Sequence, residues 1–285
     1  MQNEVEIKLG VAGFAQPAIE DALIARLGKP DTRMLHNRYF DTPDRALWHQ
    51  RMAVRLREKA GQWQMTLKGK GGQAGGLHRR QEWEWPVQSP DLDVERLVAT
   101  GMLDAETVAR LAPVFDTDFE RKIWYVTGED LHAEVALDSG WICAGEKREP
   151  LCELEVELMS GSAQALVAWA QTWCAVWPVW PMTASKAQRG YELASGELSG
   201  RGGMVRRAEV AFEGWSRWCT DHLLTASSRQ EAWALLAREG REQARDLVDA
   251  LGLNSSPARW HEDDWEQGMG TLCADILKHM VTSGI

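Results

Sequence analysis

Glu4-Val5-Glu6-Ile7-Lys8-Leu9 sets three charged residues at i, i+2 and i+4, with an apolar residue after each. That alternation is the period of an extended strand with one polar and one apolar face. The same period recurs in Val54-Arg55-Leu56-Arg57, Gln64-Met65-Thr66-Leu67-Lys68 and Arg80-Gln81-Glu82-Trp83-Glu84-Trp85. It returns in Arg121-Lys122-Ile123-Trp124-Tyr125-Val126, Glu134-Val135-Ala136-Leu137-Asp138 and Glu153-Leu154-Glu155-Val156-Glu157-Leu158. One such strand alone reads as the solvated side of a half-buried sheet. The set reads differently, because its strands hold nearly pure blocks of acid or base where an outer face mixes Thr, Ser, Lys and Glu. If the sheet closes with its apolar side outward beneath helices, these charges line a lumen. Carboxylates on one wall suit a hard divalent cation, and Arg and Lys suit phosphate oxygens.

Between the strands, Lys59-Ala60-Gly61-Gln62 and Asp138-Ser139-Gly140 carry turn signals, and Gly69 to Gly76 reads as a flexible hairpin connection. Helical spacing covers Pro17 to Leu27, Leu92 to Leu111 with a break at Gly101, and Ser162 to Val176. Strand patterns stop near Ser195. Residues 196–203 read as a linker, and Met204 to Leu224, Arg229 to Leu251 and Trp265 to Val281 predict three amphipathic helices. The expected fold class is α+β. Residues 1–195 form an antiparallel sheet, closed or nearly closed, with surrounding helices, and residues 204–285 form a smaller all-α region.

The net charge of −10 argues against a broad cationic face for nucleic acid or an anionic membrane, and leaves room for a small anion in a local basic pocket. Cys143, Cys152, Cys174, Cys219 and Cys273 are odd in number and widely spaced, without CxxC. That pattern argues against a disulfide framework or a zinc site and fits a reducing cytoplasm. The N-terminal residues do not read as a signal peptide, and no apolar run reaches the length of a membrane span. His36, His49, His78 and His132 are scattered and suggest no metal site, and no GxxxxGK(S/T) loop is present.

In their order these blocks resemble the CYTH superfamily of triphosphate tunnel metalloenzymes, over residues 1 to about 195. Glu4-Val5-Glu6-Ile7-Lys8 looks like its ExExK signature, and Asn37-Arg38-Tyr39-Phe40-Asp41-Thr42-Pro43-Asp44 like its YFDTP segment. Ala53 to Arg57 looks like its paired-arginine strand, Thr66-Leu67-Lys68 supplies its lysine, and Arg80 to Glu84 its RxExE strand. Arg121, Asp138, Glu153 to Glu157 and Ser185-Lys186-Ala187-Gln188-Arg189-Gly190-Tyr191 follow in family order.

The resemblance implies an eight-stranded antiparallel β-barrel, a tunnel that hydrolyses a triphosphate with Mg²⁺ or Mn²⁺. Glu4 and Glu6 would ligate one metal together with two of Glu153, Glu155 and Glu157. Lys8, Arg55, Arg57, Lys68, Arg121, Lys186 and Arg189 would hold phosphate oxygens and offset charge in the transition state, and Arg38 would line the mouth. Glu82, Glu84 and Asp138 would orient these bases or assist a second metal, with a purely structural ion pair an equal reading for Glu82.

The leading expectation is an inorganic triphosphatase, because the lining is charged and no purine or thiazole pocket is visible in the sequence. A class IV adenylyl cyclase, a nucleoside or thiamine triphosphate phosphohydrolase and a non-catalytic polyphosphate-binding module are the alternatives. Residues 204–285 stand where bacterial relatives carry a helical CHAD domain, associated with polyphosphate. They lack an HxxRVxxRRLR-like block, which leaves a partial or degenerate bundle or a packing appendage. A monomer or a homodimer is expected.

Overall fold

A computed structural model describes residues 2–74, 77–196, 207–253 and 256–283. In chain order the first elements are β1 (Gln2–Val11), α1 (Gln16–Leu27), β2 (Asp31–Asp41), α2 (Ala46–His49), β3 (Ala53–Lys59), β4 (Gln62–Ala74) and β5 (Leu77–Val87). Then come α3 (Val94–Ala99), α4 (Ala105–Ala109), β6 (Ala112–Gly128), β7 (Leu131–Ala144), β8 (Lys147–Gly161), α5 (Ala163–Cys174), β9 (Val179–Pro181) and α6 (Lys186–Ser195). The strands form one antiparallel sheet in the order β5-β4-β3-β2-β6-β7-β8-β1-β9. β1 pairs with β8 over Glu6 to Gly10 and with β5 over Gln2 to Ile7, so the pairings that leave β5 return to it. The described sheet has nine strands where eight were expected. The ninth is the three-residue β9, which lies against Leu9 to Val11.

Local chemistry explains most boundaries. Ser162 and Ser185 accept the backbone N–H groups of Ala165 and Gln188, which caps α5 and α6, and Asp93 and Asp104 do the same for α3 and α4. α1 stops at Gly28, whose φ of 86° favours a residue without Cβ.

One expected turn is absent, and another is much shorter than expected. Asp138-Ser139-Gly140 lies inside β7, paired on both flanks. Gly140 is there for closeness: a Cβ would stand 2.2 Å from the Asp118 carbonyl oxygen on β6. The run Gly69 to Gly76 also belongs to strand as far as Ala74, and its glycines accompany a register shift between Lys68 and Gly71. Residues 75 and 76 of that run lie outside the described residues.

The apolar sides of the strands face outward, beneath helices. Val54, Leu56, Met65 and Leu67 pack under Leu47, Leu97 and Val108 from α2, α3 and α4. On the other side Ile7, Leu9, Val135, Leu137, Leu154 and Val156 share one core with α1 and α5.

The C-terminal helices join that same core. They are α7 (Arg207–His222), α8 (Arg229–Leu235), α9 (Arg241–Leu251) and α10 (Trp265–Ser283). Residues 229–251, expected as one helix, are split by a π-helical stretch at Leu236–Gly240. Trp215, Trp265, Met269 and Leu272 sit in one continuous apolar cluster with the sheet residues. No helix among the described residues is long and apolar enough to cross a membrane.

Candidate active site in the charged cavity

Because Ile7 and Leu9 point to the outer core, Glu6 and Lys8 point the other way, and the same alternation acts in every neighbouring strand. The inner faces enclose a cavity of about 640 Å³. Its lining includes Glu6 and Lys8 from β1, Arg55 and Arg57 from β3, Lys68 from β4, and Glu82 and Glu84 from β5. Arg121 from β6, Glu134 from β7, Glu155 and Glu157 from β8, and the N-terminus of α6 at Ser185 to Ala187 complete the ring.

One side of this cavity, its floor, is a dense ion-pair network. Arg121 donates from Nε and Nη2 to the two oxygens of Asp138, at 2.7 and 2.6 Å, and also to Glu155. Lys186 Nζ reaches Asp138 at 2.7 Å and Glu155 at 3.0 Å, and also bonds Glu153. Lys8 Nζ lies 2.8 Å from Glu6 and bonds Glu155 as well. Burial works against charge here, and the partners decide the outcome. Burial would raise Glu155, yet Lys186, Lys8 and Arg121 hold it well below the usual carboxylate range. Burial raises Glu153 and outweighs the pull of Lys186. Burial would lower Lys186 and Arg121, but their carboxylates hold both above their ordinary values.

Asp138, Glu153 and Glu155 come close enough together to hold a metal ion. They enclose the Lys186 ammonium, however, and a divalent cation beside it would be repelled. A better donor set faces the cavity itself. Glu134 pairs across strands with Glu157, and Glu157 with Glu6, so three carboxylates form one row over β7, β8 and β1. Such an oxygen set fits Mg²⁺ or Mn²⁺. Glu4 lies two positions before Glu6 on β1, and its side chain is outside the described residues.

The wall formed by β3, β4 and β5 is looser. Arg55 donates to Thr66 Oγ1 at 3.1 Å and stands 3.7 and 3.9 Å from Glu84 and Glu82, while Lys68 lies 3.2 Å from Glu82. Burial would lower Arg55, but Tyr39, Glu82 and Glu84 keep it above its ordinary value. Arg57 differs. Its Nε donates to Asn37 Oδ1 at 2.7 Å, and burial, then the charges of Arg55 and Arg121, push it down to about 9.

Most of the residues singled out in the sequence thus meet around one space. Four of the described ones do not line it, the first being Asp138, fully buried behind Arg121 and Lys186. Arg38 is on the outer side of β2, exposed and paired with Asp116 at 2.8 Å, because Asn37 and Tyr39 occupy the inward positions of that strand. A place at the mouth is therefore corrected to the opposite face. Arg189 turns from the cavity toward β8, where it donates to Glu149 and to the Pro150 carbonyl, both at 2.6 Å. Glu153 is fully buried behind Lys186. Tyr39, Gln64, Glu134 and Ser185 line the cavity without having been singled out. Glu134 could have been found, since it stands four positions before Asp138 in a strand already read as alternating.

A family model described as CYTH domain matches residues 2–191. The inorganic triphosphatase of Haemophilus influenzae is 35% identical over an alignment of 202 residues that covers 68% of this chain and 56% of that relative. The chain therefore spans little more than half the length of this curated relative. Among solved structures, a Hippeastrum protein described as an adenylyl cyclase with a dominant triphosphatase activity aligns with a TM-score of 0.54 and 19% identity. The alignment covers 69% of this chain and 97% of that one, and at this identity it speaks for a shared fold.

Proposed function

The chain belongs to the CYTH domain family, and on that premise we propose that it hydrolyses tripolyphosphate to diphosphate and phosphate with Mg²⁺ or Mn²⁺. In this reading β1 to β8 form the closed tunnel, β9 lies outside it, and the helices α7 to α10 are an appendage packed on its outer core; the expected linker at 196–203 lies, after Gly196, outside the described residues. The observation that carries the proposal is the convergence of Lys8, Arg55, Arg57, Lys68, Arg121 and Lys186 on one cavity that also holds a row of carboxylates. Cations in that number match an anion with several charges, and the carboxylates match its counter-cation. The relative from Haemophilus, an inorganic triphosphatase, supports the same assignment.

The chain's own groups divide the work. Arg57, Arg55 and Lys68 bind phosphate oxygens from the β3–β4 side. Lys8, Lys186 and Arg121 present positive charge from the floor and stabilise the charge that spreads over the transferring phosphoryl group. Glu82 and Glu84 hold Arg55 and Lys68 in position. Glu6 and Glu157, with Glu134 beside them and Glu4 two positions before Glu6 on the same strand, would hold the metal. When bound, the metal neutralises phosphate charge and lowers the pKa of the attacking water.

The lining also favours an inorganic substrate over a nucleotide. Tyr39 is the single aromatic residue among the described lining, and its ring is already stacked on Phe115 at 4.5 Å. An adenine would find a single aromatic ring in this lining, with one of its faces already taken by Phe115. The test is phosphate release from tripolyphosphate, ATP and thiamine triphosphate with Mg²⁺ and Mn²⁺, with cyclic AMP measured in parallel. Tripolyphosphate should be preferred, and Glu6→Gln should lose about 10³-fold or more in kcat. A large preference for a nucleotide in kcat/KM, or cyclic AMP as the main product, overturns the assignment.

A further inference from the structure

Six cations face the cavity, and five of them meet a carboxylate there: Lys8 meets Glu6, Arg55 meets Glu84, Lys68 meets Glu82, and Arg121 and Lys186 meet Asp138. Among the described residues Arg57 is the exception. Its side-chain partner is the amide oxygen of Asn37, its cross-strand neighbour on β2. The terminal nitrogens of the guanidinium, four N–H donors in all, have no acceptor among the described residues.

Asn37 is itself fixed. It is 2% exposed, and its Nδ2 donates to both the carbonyl oxygen and Oγ1 of Thr117 on β6, each at 3.1 Å. A carbonyl can only accept, so the amide has one orientation, with nitrogen toward Thr117 and oxygen toward Arg57. An aspartate would have nearly the same shape and would also reach Nε, but it would cancel the charge it holds. The choice of a neutral acceptor at this buried position therefore has an electrostatic consequence as well as a steric one.

We propose that Asn37 is a positioning residue for substrate binding, whose neutral amide aims Arg57 into the cavity and leaves its charge for a phosphate anion. This deepens the triphosphatase reading and rests on it. The groups that face Arg57 are Arg55 from its own strand, Arg121 from β6, Tyr39 from β2 and Asp138 from β7. Burial, and then the two cationic neighbours, push Arg57 down to about 9, and a bound anion opposes that shift. An alkaline limit in kcat/KM that follows Arg57 is therefore the expected kinetic mark of this arrangement.

The test compares wild type, Asn37→Asp and Asn37→Ala. It measures kcat, KM and the pH profile on tripolyphosphate with metal, and calorimetric binding of tripolyphosphate in EDTA. Asn37→Asp should raise KM by about tenfold or more with kcat within about twofold, and should move the alkaline limit up by about one pH unit, since an adjacent carboxylate favours charged Arg57. Asn37→Ala should raise KM less and leave the limit where it is or lower. Asn37→Asp with KM and alkaline limit close to wild type overturns the proposal, and so does an equal loss in both variants with no movement of the limit. If melting shows that Asn37→Asp does not fold, Asn37→Ala decides: an unchanged KM overturns the proposal, and a raised KM at unchanged kcat supports it. Wild type that binds tripolyphosphate but hydrolyses it with no metal would remove the proposed reaction, and the binding comparison would still decide the role of Asn37.

Discussion

The floor of the cavity and the Arg57 position on its β3 wall treat positive charge in opposite ways. On the floor Lys8, Arg121 and Lys186 are matched by Glu155, Asp138 and Glu153, all within the protein. On the wall Arg57 faces a neutral amide. Both regions are rich in cations, and their burial is similar in kind. What separates them is the partner. A buried cation with a carboxylate shares its charge between the fold and a ligand, whereas one with a neutral acceptor keeps it whole for the ligand.

The largest expected effect lies on the floor. Glu155→Gln removes an acceptor shared by three cations and should cost about 3–5 kcal/mol of stability in denaturant unfolding, as breaking a buried pair does. A loss below about 1 kcal/mol would erase the contrast with the wall. Arg57→Met comes next and should show the reverse pattern. KM for tripolyphosphate should rise about 30-fold, or roughly 2 kcal/mol, while stability near neutral pH stays level or increases. The sign follows from linkage. A base whose folded pKa is depressed binds fewer protons than the unfolded chain between about 9 and the ordinary arginine value, so wild-type stability gains on that of the variant as pH rises through this window. Melting curves of both proteins at pH 8 and pH 10 check it.

A third substitution asks how the floor is held. Arg217 on α7 forks onto Glu192 of α6 at 3.1 and 3.2 Å, and Ser216 accepts the Thr183 N–H just ahead of Lys186. Arg217→Ala should lower stability by about 1 kcal/mol and raise KM two- to threefold, roughly the worth of one partly exposed forked pair. An unchanged KM would mean that α7 does not help to place Lys186. Arg38→Ala is the smallest: its exposed pair with Asp116 should change stability by under about 0.5 kcal/mol and leave KM alone.

The inner faces of β1, β3, β5 and β8 were legible because each alternates cleanly over several residues. β2 was not, since Met34-Leu35-His36-Asn37-Arg38-Tyr39-Phe40 mixes polar and apolar residues on both sides. Its register decides that Asn37 and Tyr39 face inward and Arg38 outward, and register is set by pairing with β3 and β6 rather than by the segment itself. The pairing of Asn37 with Arg57 was hidden for the same reason, with 20 residues separating the two. Lys186 and Arg189 share a short motif and both border Glu153, yet only Lys186 lines the cavity while Arg189 turns to Glu149. The alternating strands could suggest a closed sheet, but nothing local in residues 204–285 says that their helices complete its outer core, because that depends on the faces they meet.

β1 also sets a schedule for synthesis. It leaves the ribosome ahead of β8 and β9, its partners at Glu6 to Gly10 and Leu9 to Val11. At the usual pace of translation the chain needs roughly 10–30 s to reach β9 after β1 is made. During that interval Ile7 and Leu9, both fully buried in the finished protein, have no native neighbour on that flank. The strand that carries the first charges of the cavity can thus pair with β5 early, and its other flank is completed only when β8 and β9 arrive.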